Sequence, residues 1–119
     1  MARILLAEDD ASMRQFLAAA LTRAGHAVEA VEDGEKAYAV VREGRHDLLL
    51  ADIVMPGMDG IELARRAAEV APTLKIMFIT GFAAIAMKHR YHVGPRAQIL
   101  SKPFHLRDLV DQVDRLLSA

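Results

Sequence analysis

Acidic residues follow two short apolar segments, and they are the side chains of this sequence best suited to chemistry. Glu8, Asp9 and Asp10 come directly after the run ILLA, and Asp52 comes directly after the run LLLA. Carboxylates that share one pocket repel each other, since a pair about 4 Å apart costs roughly 4 kcal/mol at an effective dielectric near 20. Such a cluster needs a cation or a proton. Because oxygen ligands with an open coordination position suit Mg²⁺, these residues predict a magnesium site.

Two further apolar segments end in groups that can contact an anion. The run IMFI is followed by Thr80, and the run QIL is followed by Ser101 and Lys102. If these runs are parallel strands of one sheet, their carboxyl ends lie at the same edge, with neighbouring strands about 4.8 Å apart. The hydroxyl and ammonium groups are then expected beside the carboxylates.

Each of these residues also has an ordinary structural explanation. Asp10 precedes a helical pattern and can serve simply as its N-cap. Asp52 precedes the segment MPGMDG and can stabilise that turn. Glu8 and Asp9 can form a solvated loop pair, and Lys102 alone can be a surface lysine. These explanations weaken together, because the predicted sheet brings all of the residues to one site.

Short, unbroken apolar runs alternate with amphipathic segments along the chain. Such runs are typical of parallel strands that are covered by helices on both faces. We expect strands at residues 4–7, 27–31, 48–51, 76–79 and 97–100, the second as an edge strand. Five strands alternating with five helices predict a doubly wound, flavodoxin-like α/β fold with a parallel sheet of order 2-1-3-4-5. In that fold the ligand site lies beyond the carboxyl ends of strands 1 and 3.

Apolar stripes at helical spacing predict the helices. One stripe consists of Met13, Phe16, Leu17, Ala20, Leu21 and Ala24, and the clearest consists of Leu106, Leu109, Val110, Val113, Leu116 and Leu117. Asp59 and Glu62 have the spacing of a capping box. The segment from Phe82 to Gly94 is poorly patterned, and we expect a short helix there.

Composition excludes several classes of function. The chain has 119 residues, 53% apolar and 26% charged, which predicts one globular domain. A net charge of −1 gives no basic surface for nucleic acid. The absence of cysteine excludes disulfides and thiolate chemistry. With no signal-peptide core and no apolar run long enough to span a bilayer, a cytoplasmic protein is expected.

The sequence resembles the receiver domain of two-component response regulators, the CheY-like family. The matching segments are Ile4 to Asp10, Asp52 to Gly60, Ile76 to Gly81 and Leu100 to Phe104. The resemblance extends over essentially the whole chain, so it implies a receiver domain over residues 1–119 with no output domain. It also implies a phosphorylation-controlled switch whose donor is a histidine kinase or a histidine phosphotransfer protein.

The resemblance assigns a role to each residue of the predicted site. Asp52 is implied to be the phosphoacceptor, and Thr80 and Lys102 are implied to contact the phosphoryl oxygens. Mg²⁺ is implied to bind Glu8, Asp9, Asp52 and the backbone carbonyl of Val54. The bond between Lys102 and Pro103 is implied to be cis, which aims the lysine into the pocket.

Within this family, three stretches are similar to those of CpdR-type receivers, which are stand-alone regulators of alphaproteobacteria. These stretches are DIVMPGMDGIELARRA, KIMFITGFAA and LSKPFHLRDLV. The similarity implies an adaptor for the ClpXP protease, with ClpX or its substrates as partners, that is active when unphosphorylated.

The sequence departs from the family pattern at Ile99, where most receivers have an aromatic residue whose rotamer reports phosphorylation. Val54 and Phe82 occupy the two positions that flank the attacking water in this family, and neither can accept its proton. A phosphate shuttle without direct output is the alternative function. A dehalogenase-like aspartate phosphatase is excluded because Val54 stands where it needs a second aspartate.

Overall fold

The computed structural model describes residues 2–81 and 97–118 of the chain. The strands are β1 (Arg3–Ala7), β2 (Ala27–Val31), β3 (Leu48–Ala51), β4 (Lys75–Thr80) and β5 (Gln98–Ser101). The helices of these ranges are α1 (Ala11–Arg23), α2 (Gly34–Val41), α3 (Gly60–Val70) and α4 (Leu106–Ser118). The remaining predicted helix, at 82–94, is the fourth of the five in chain order and lies outside the described residues.

The five strands form one parallel sheet in the order β2-β1-β3-β4-β5, so the predicted fold class and strand order are confirmed. β1 and β3 are neighbours in register, with Ala7 opposite Ala51. Beyond their ends the backbone N–H of Asp52 still donates to the Ala7 carbonyl at 3.1 Å. Glu8 and Asp52 therefore leave the sheet side by side.

Hydrophobic clusters cover both faces of the sheet, which explains why its central strands read as unbroken apolar runs. Successive residues of a strand point to opposite faces, so each run supplies both clusters. One cluster joins alternate strand residues to α2 and α3, and includes Leu5, Leu49, Phe78, Ala37, Leu63 and Ala67. The other joins the remaining strand residues to α1 and α4, and includes Ile4, Leu6, Leu50, Leu17, Leu21, Leu109 and Val113.

Side-chain caps fix where two of the helices begin. The Asp10 carboxylate accepts the Met13 N–H at 2.9 Å, so the N-cap prediction is confirmed. The Asp59 carboxylate accepts the Glu62 N–H at 2.8 Å in the same way. The Glu62 carboxylate, however, accepts hydrogen bonds from two arginines of its own helix. Half of the predicted capping box is therefore present, the hydrogen bond from the Glu62 N–H to Asp59, while the Glu62 carboxylate binds the arginines instead.

The prediction that Phe16 belongs to the buried stripe of α1 is wrong. Its residue surface is 53% exposed, whereas Leu17 and Leu21 are buried. Successive helical residues are about 100° apart, so Phe16 lies at the margin of the apolar stripe, on helix surface that faces away from the sheet. No helix within residues 2–81 and 97–118 has the length and apolarity needed to cross a membrane.

Candidate functional site

Three carboxyl groups meet at the carboxyl ends of β1 and β3. Glu8 and Asp9 follow β1, Asp52 follows β3, and one carboxylate oxygen of each lies within 4.8 Å of the others. Among the residues that the structure describes, this is the one group of side chains so arranged that it can hold a metal ion. The predicted convergence of these residues is therefore observed, and the site lies where the winding of the sheet reverses.

Glu8 is the buried member of the cluster, with only 2% of its surface exposed. This burial raises the pKa of its carboxyl group to about 7, opposed by the hydrogen bond from the Asp10 N–H and reinforced by the charge of Asp52. The Asp10 N–H lies 3.2 Å from Glu8 Oε2. Asp9, in contrast, is exposed. The interpretation of Glu8 and Asp9 as a solvated loop pair is therefore wrong for Glu8, whose carboxyl group is buried.

Lys102 supplies the positive charge of the site. Its Nζ donates to Asp52 Oδ2 at 2.8 Å and lies 3.4 Å from Glu8 Oε1. Burial alone would lower the pKa of Lys102, but the hydrogen bond and charge of Asp52, joined by Glu8, raise it above its ordinary value. The peptide bond between Lys102 and Pro103 is cis, as expected. The side chain is therefore a charged ammonium held against the central aspartate.

The other two predicted site residues are Thr80, at the end of β4, and Val54, in the loop after β3. Thr80 is fully buried at the end of β4, and its carbonyl accepts the Lys102 N–H at 2.8 Å. Val54 lies two residues after Asp52, and its N–H lies 3.4 Å from Asp52 Oδ1. The Val54 residue is 55% exposed, so this loop carries an exposed apolar side chain two residues after Asp52.

Glycine holds the loop after β3 in place. The N–H of Gly60 donates to the Ile53 carbonyl at 2.7 Å. A Cβ atom at Gly60 would overlap the backbone oxygen of Asp52, so only glycine allows the start of α3 to lie this close to the backbone of Asp52. Gly57 has φ +73°, the left-handed conformation that favours glycine. The segment MPGMDG thus packs α3 against the backbone that carries Asp52.

Arg14 is a neighbour of the site that the sequence did not reveal. From the first turns of α1, its Nη1 donates to the Glu8 carbonyl at 2.8 Å and lies 3.4 Å from the Asp9 carbonyl. A single arginine on a helix has no spacing that identifies a backbone partner. The contacts of Arg14 with this loop are therefore visible only in the structure.

Comparisons with known proteins agree with this geometry. The family model described as the response regulator receiver domain matches residues 4–114. The chain belongs to this family. Receiver domains are the phosphorylation-controlled switches of two-component systems, and the CheY-like fold predicted from the sequence is the one observed.

Two curated receivers show how far the similarity extends. The chain is 57% identical to the response regulator receiver protein CpdR of Brucella abortus, over 100% of this chain and 99% of that protein. It is 32% identical to the DNA-binding transcriptional regulator NtrC of Azospirillum brasilense over 99% of this chain, but spans 24% of NtrC. The similarity to CpdR thus covers both chains, whereas the similarity to NtrC covers one part of a longer protein.

A solved receiver has nearly the same backbone. The CheY-like response regulator receiver domain protein of Methanospirillum hungatei has a TM-score of 0.91 and 28% identity, covering 99% of this chain and 94% of that structure. The receiver fold is therefore reached with about a quarter of the residues in common.

The donor set of this receiver fits a hard divalent cation. All three side chains of the cluster offer carboxylate oxygens, and the described part of the cluster contains no sulfur or imidazole ligand. Mg²⁺ binds such oxygens and keeps several waters. The charges also match, because three carboxylates opposite one ammonium leave an excess of negative charge. A divalent cation would remove that excess.

Proposed function

We propose that this protein is a phosphorylation-controlled switch that accepts a phosphoryl group on Asp52 from a phosphohistidine donor. The contact between Lys102 Nζ and Asp52 Oδ2, at 2.8 Å, is the observation that carries the proposal. It places a fixed positive charge beside the carboxylate best positioned for nucleophilic attack. Lys102 also approaches Glu8, at 3.4 Å, but Asp52 makes the shorter contact and is the less buried of the two carboxylates.

In the proposed reaction an Asp52 carboxylate oxygen attacks the phosphorus atom of the donor. An O–P bond forms as the N–P bond breaks, and the donor imidazole leaves with the electron pair. Glu8, Asp9, Asp52 and the Val54 carbonyl are proposed to hold Mg²⁺, which neutralises charge on the transferring group when bound. Lys102 and Thr80 are proposed to bind the phosphoryl oxygens. Lys102 would then move its contact from the carboxylate to the new phosphoryl group.

Apart from this transfer and the hydrolysis of its own aspartyl phosphate, the protein is proposed to be no enzyme. Its donor is proposed to be a histidine kinase or a histidine phosphotransfer protein in the cytoplasm. Its output is proposed to come through contact with another protein. Similarity to CpdR over the full length of both chains supports a CpdR-type adaptor role, with ClpX or its substrates as the partner.

Labelling with a phosphohistidine donor tests the acceptor. We expect wild-type protein to gain one acid-stable, base-labile label that depends on magnesium, and Asp52→Asn to gain none, because an amide oxygen is a poor nucleophile. Asp111→Asn is the matched control, since Asp111 is exposed on α4. Label that persists on another residue of Asp52→Asn would contradict the assignment.

A further inference from the structure

Arg14 connects the first helix to the backbone of the acidic loop. Its guanidinium donates to the carbonyl of Glu8 at 2.8 Å and approaches the carbonyl of Asp9 at 3.4 Å. Arg14 is itself anchored at the start of α1, where its N–H donates to the Asp10 carbonyl at 2.8 Å. One side chain thus spans the two peptide units that join the acidic residues.

The second of these peptide units also holds the buried carboxylate. A trans peptide directs its C=O and its N–H to opposite sides. In the unit between Asp9 and Asp10, the carbonyl faces Arg14 and the N–H donates to Glu8 Oε2 at 3.2 Å. A guanidinium that binds this carbonyl therefore aims the opposite N–H at the Glu8 carboxylate.

We propose that Arg14 is a positioning residue for the cation site, acting through the backbone rather than through its charge. This inference rests on the proposed function, because it assigns the acidic cluster to Mg²⁺. Held by Arg14, the loop presents the Glu8 and Asp9 carboxylates to the pocket and turns their carbonyls away from it. Both contacts are made by Nη1, and arginine suits this task because the two hydrogens of Nη1 are fixed in the plane of the guanidinium.

The two ways in which Arg14 can act predict opposite changes in magnesium affinity. A positive charge beside a cation site repels the cation, so removal of that charge alone would tighten Mg²⁺ binding. Loss of a positioning contact weakens binding, and loss of a group that orients metal ligands typically costs about 10–100-fold in affinity. The sign of the change therefore separates positioning from charge.

Titration of the full-length protein with magnesium chloride, followed by calorimetry, measures that sign. We expect Arg14→Ala to raise the Kd for Mg²⁺ about tenfold, the low end of the range, because Arg14 binds carbonyls rather than the ligand atoms. Arg14→Lys keeps the charge but not the planar arrangement of the donor hydrogens, and we expect an intermediate increase. Arg23→Ala is the matched control, since Arg23 lies in the last turn of the same helix. Its Kd should equal that of wild type.

Thermal unfolding of each metal-free variant shows whether it is folded. If Arg14→Ala does not fold, Arg14→Lys decides the question, since its charge is unchanged and a raised Kd then reports the lost contacts of the guanidinium. Unchanged or tighter binding by the folded Arg14 variants would overturn the inference and leave the proposed function standing. A wild-type protein that is phosphorylated but binds no magnesium would overturn this inference together with the proposed cation site.

Discussion

The Glu8 carboxyl group is buried at a cost to stability that its proposed role explains. Its pKa of about 7 means that the folded protein disfavours the charged form. Above pH about 7 the Glu8 carboxylate is therefore charged in the metal-free protein, and this buried charge lowers the free energy of unfolding. A bound divalent cation would offset this cost. Glu8 is therefore unfavourable for the stability of the metal-free protein and favourable for cation binding.

We predict that Glu8→Gln stabilises the metal-free protein and abolishes its stabilisation by magnesium. At about pH 8 the gain in the free energy of unfolding should be on the order of 1 kcal/mol or more, because each pKa unit corresponds to about 1.4 kcal/mol. Urea unfolding with and without magnesium measures both effects. Asp111→Asn, at an exposed position of α4, should change neither. A less stable metal-free Glu8→Gln would show that the charge is not the source of the cost.

Val54 leads to a second prediction at a single residue. Its side chain is exposed two residues after Asp52, and an apolar group can neither orient water nor accept a proton. We expect the aspartyl phosphate of the wild type to persist for minutes or longer, and Val54→Asn to shorten its lifetime several-fold. Loss of label from purified phosphoprotein measures this. Val70→Asn is the control, because Val70 is also exposed, at the end of α3. A wild-type lifetime of seconds would refute the prediction.

At the level of elements, the sequence predicted the strands better than the helix surfaces. Central strands are buried on both faces, so every residue in runs such as Leu48–Ala51 must be apolar, and the run itself is the signal. A helix is buried on one side only, and the edge of its stripe depends on how the helix is tilted. Phe16 lies at such an edge, which explains why its predicted burial is wrong.

The site was predictable for the same reason that the strands were. Parallel strands end at one edge, so residues that follow Ala7 and Ala51 must be neighbours. Burial of Glu8 and the backbone contacts of Arg14 depend on the path of a loop, which no periodic pattern records. Sequence thus indicated which groups meet, and the structure shows how they are held.

Strands β4 and β5 lead to a prediction about the switch. Thr80 ends β4 beside the site, whereas Ile99 of β5 packs against the cluster under α2 and α3. We expect Thr80→Ala to accept phosphate but to lose the change in partner binding. Ile99→Ala should lose about 1–2 kcal/mol of stability through packing and keep its response to phosphate. Partner titrations of both variants, with and without beryllofluoride, measure this. Loss of the response in Ile99→Ala would contradict it.

For the molecule as a whole, a switch requires that one small group redistribute two conformations. Moving a population from 1:99 to 99:1 takes about 5.5 kcal/mol of differential binding. Two charge-assisted hydrogen bonds, at roughly 1.5–3 kcal/mol each, reach that order. The side chains of Thr80 and Lys102 are proposed to supply them, and the backbone bond from the Lys102 N–H to the Thr80 carbonyl joins β4 to the segment after β5. No aromatic residue at position 99 is then needed for the energy.

The direction of the switch is the last prediction. The proposed CpdR-type adaptor role implies a form that binds its partner without phosphate. We therefore expect magnesium and beryllofluoride to weaken binding to ClpX or its substrates by tenfold or more, on the order of 1.4 kcal/mol. Asp52→Asn should bind as the unmodified protein does and ignore beryllofluoride, since it lacks the acceptor carboxylate. Asp111→Asn should respond like the wild type. A binding titration of each protein measures the effect, and tighter binding with beryllofluoride would reverse the polarity. Asp52→Asn thus shows whether a lost response comes from the missing acceptor or from a damaged partner surface. A wild-type protein that binds its partner equally well with and without beryllofluoride would instead favour a phosphate shuttle.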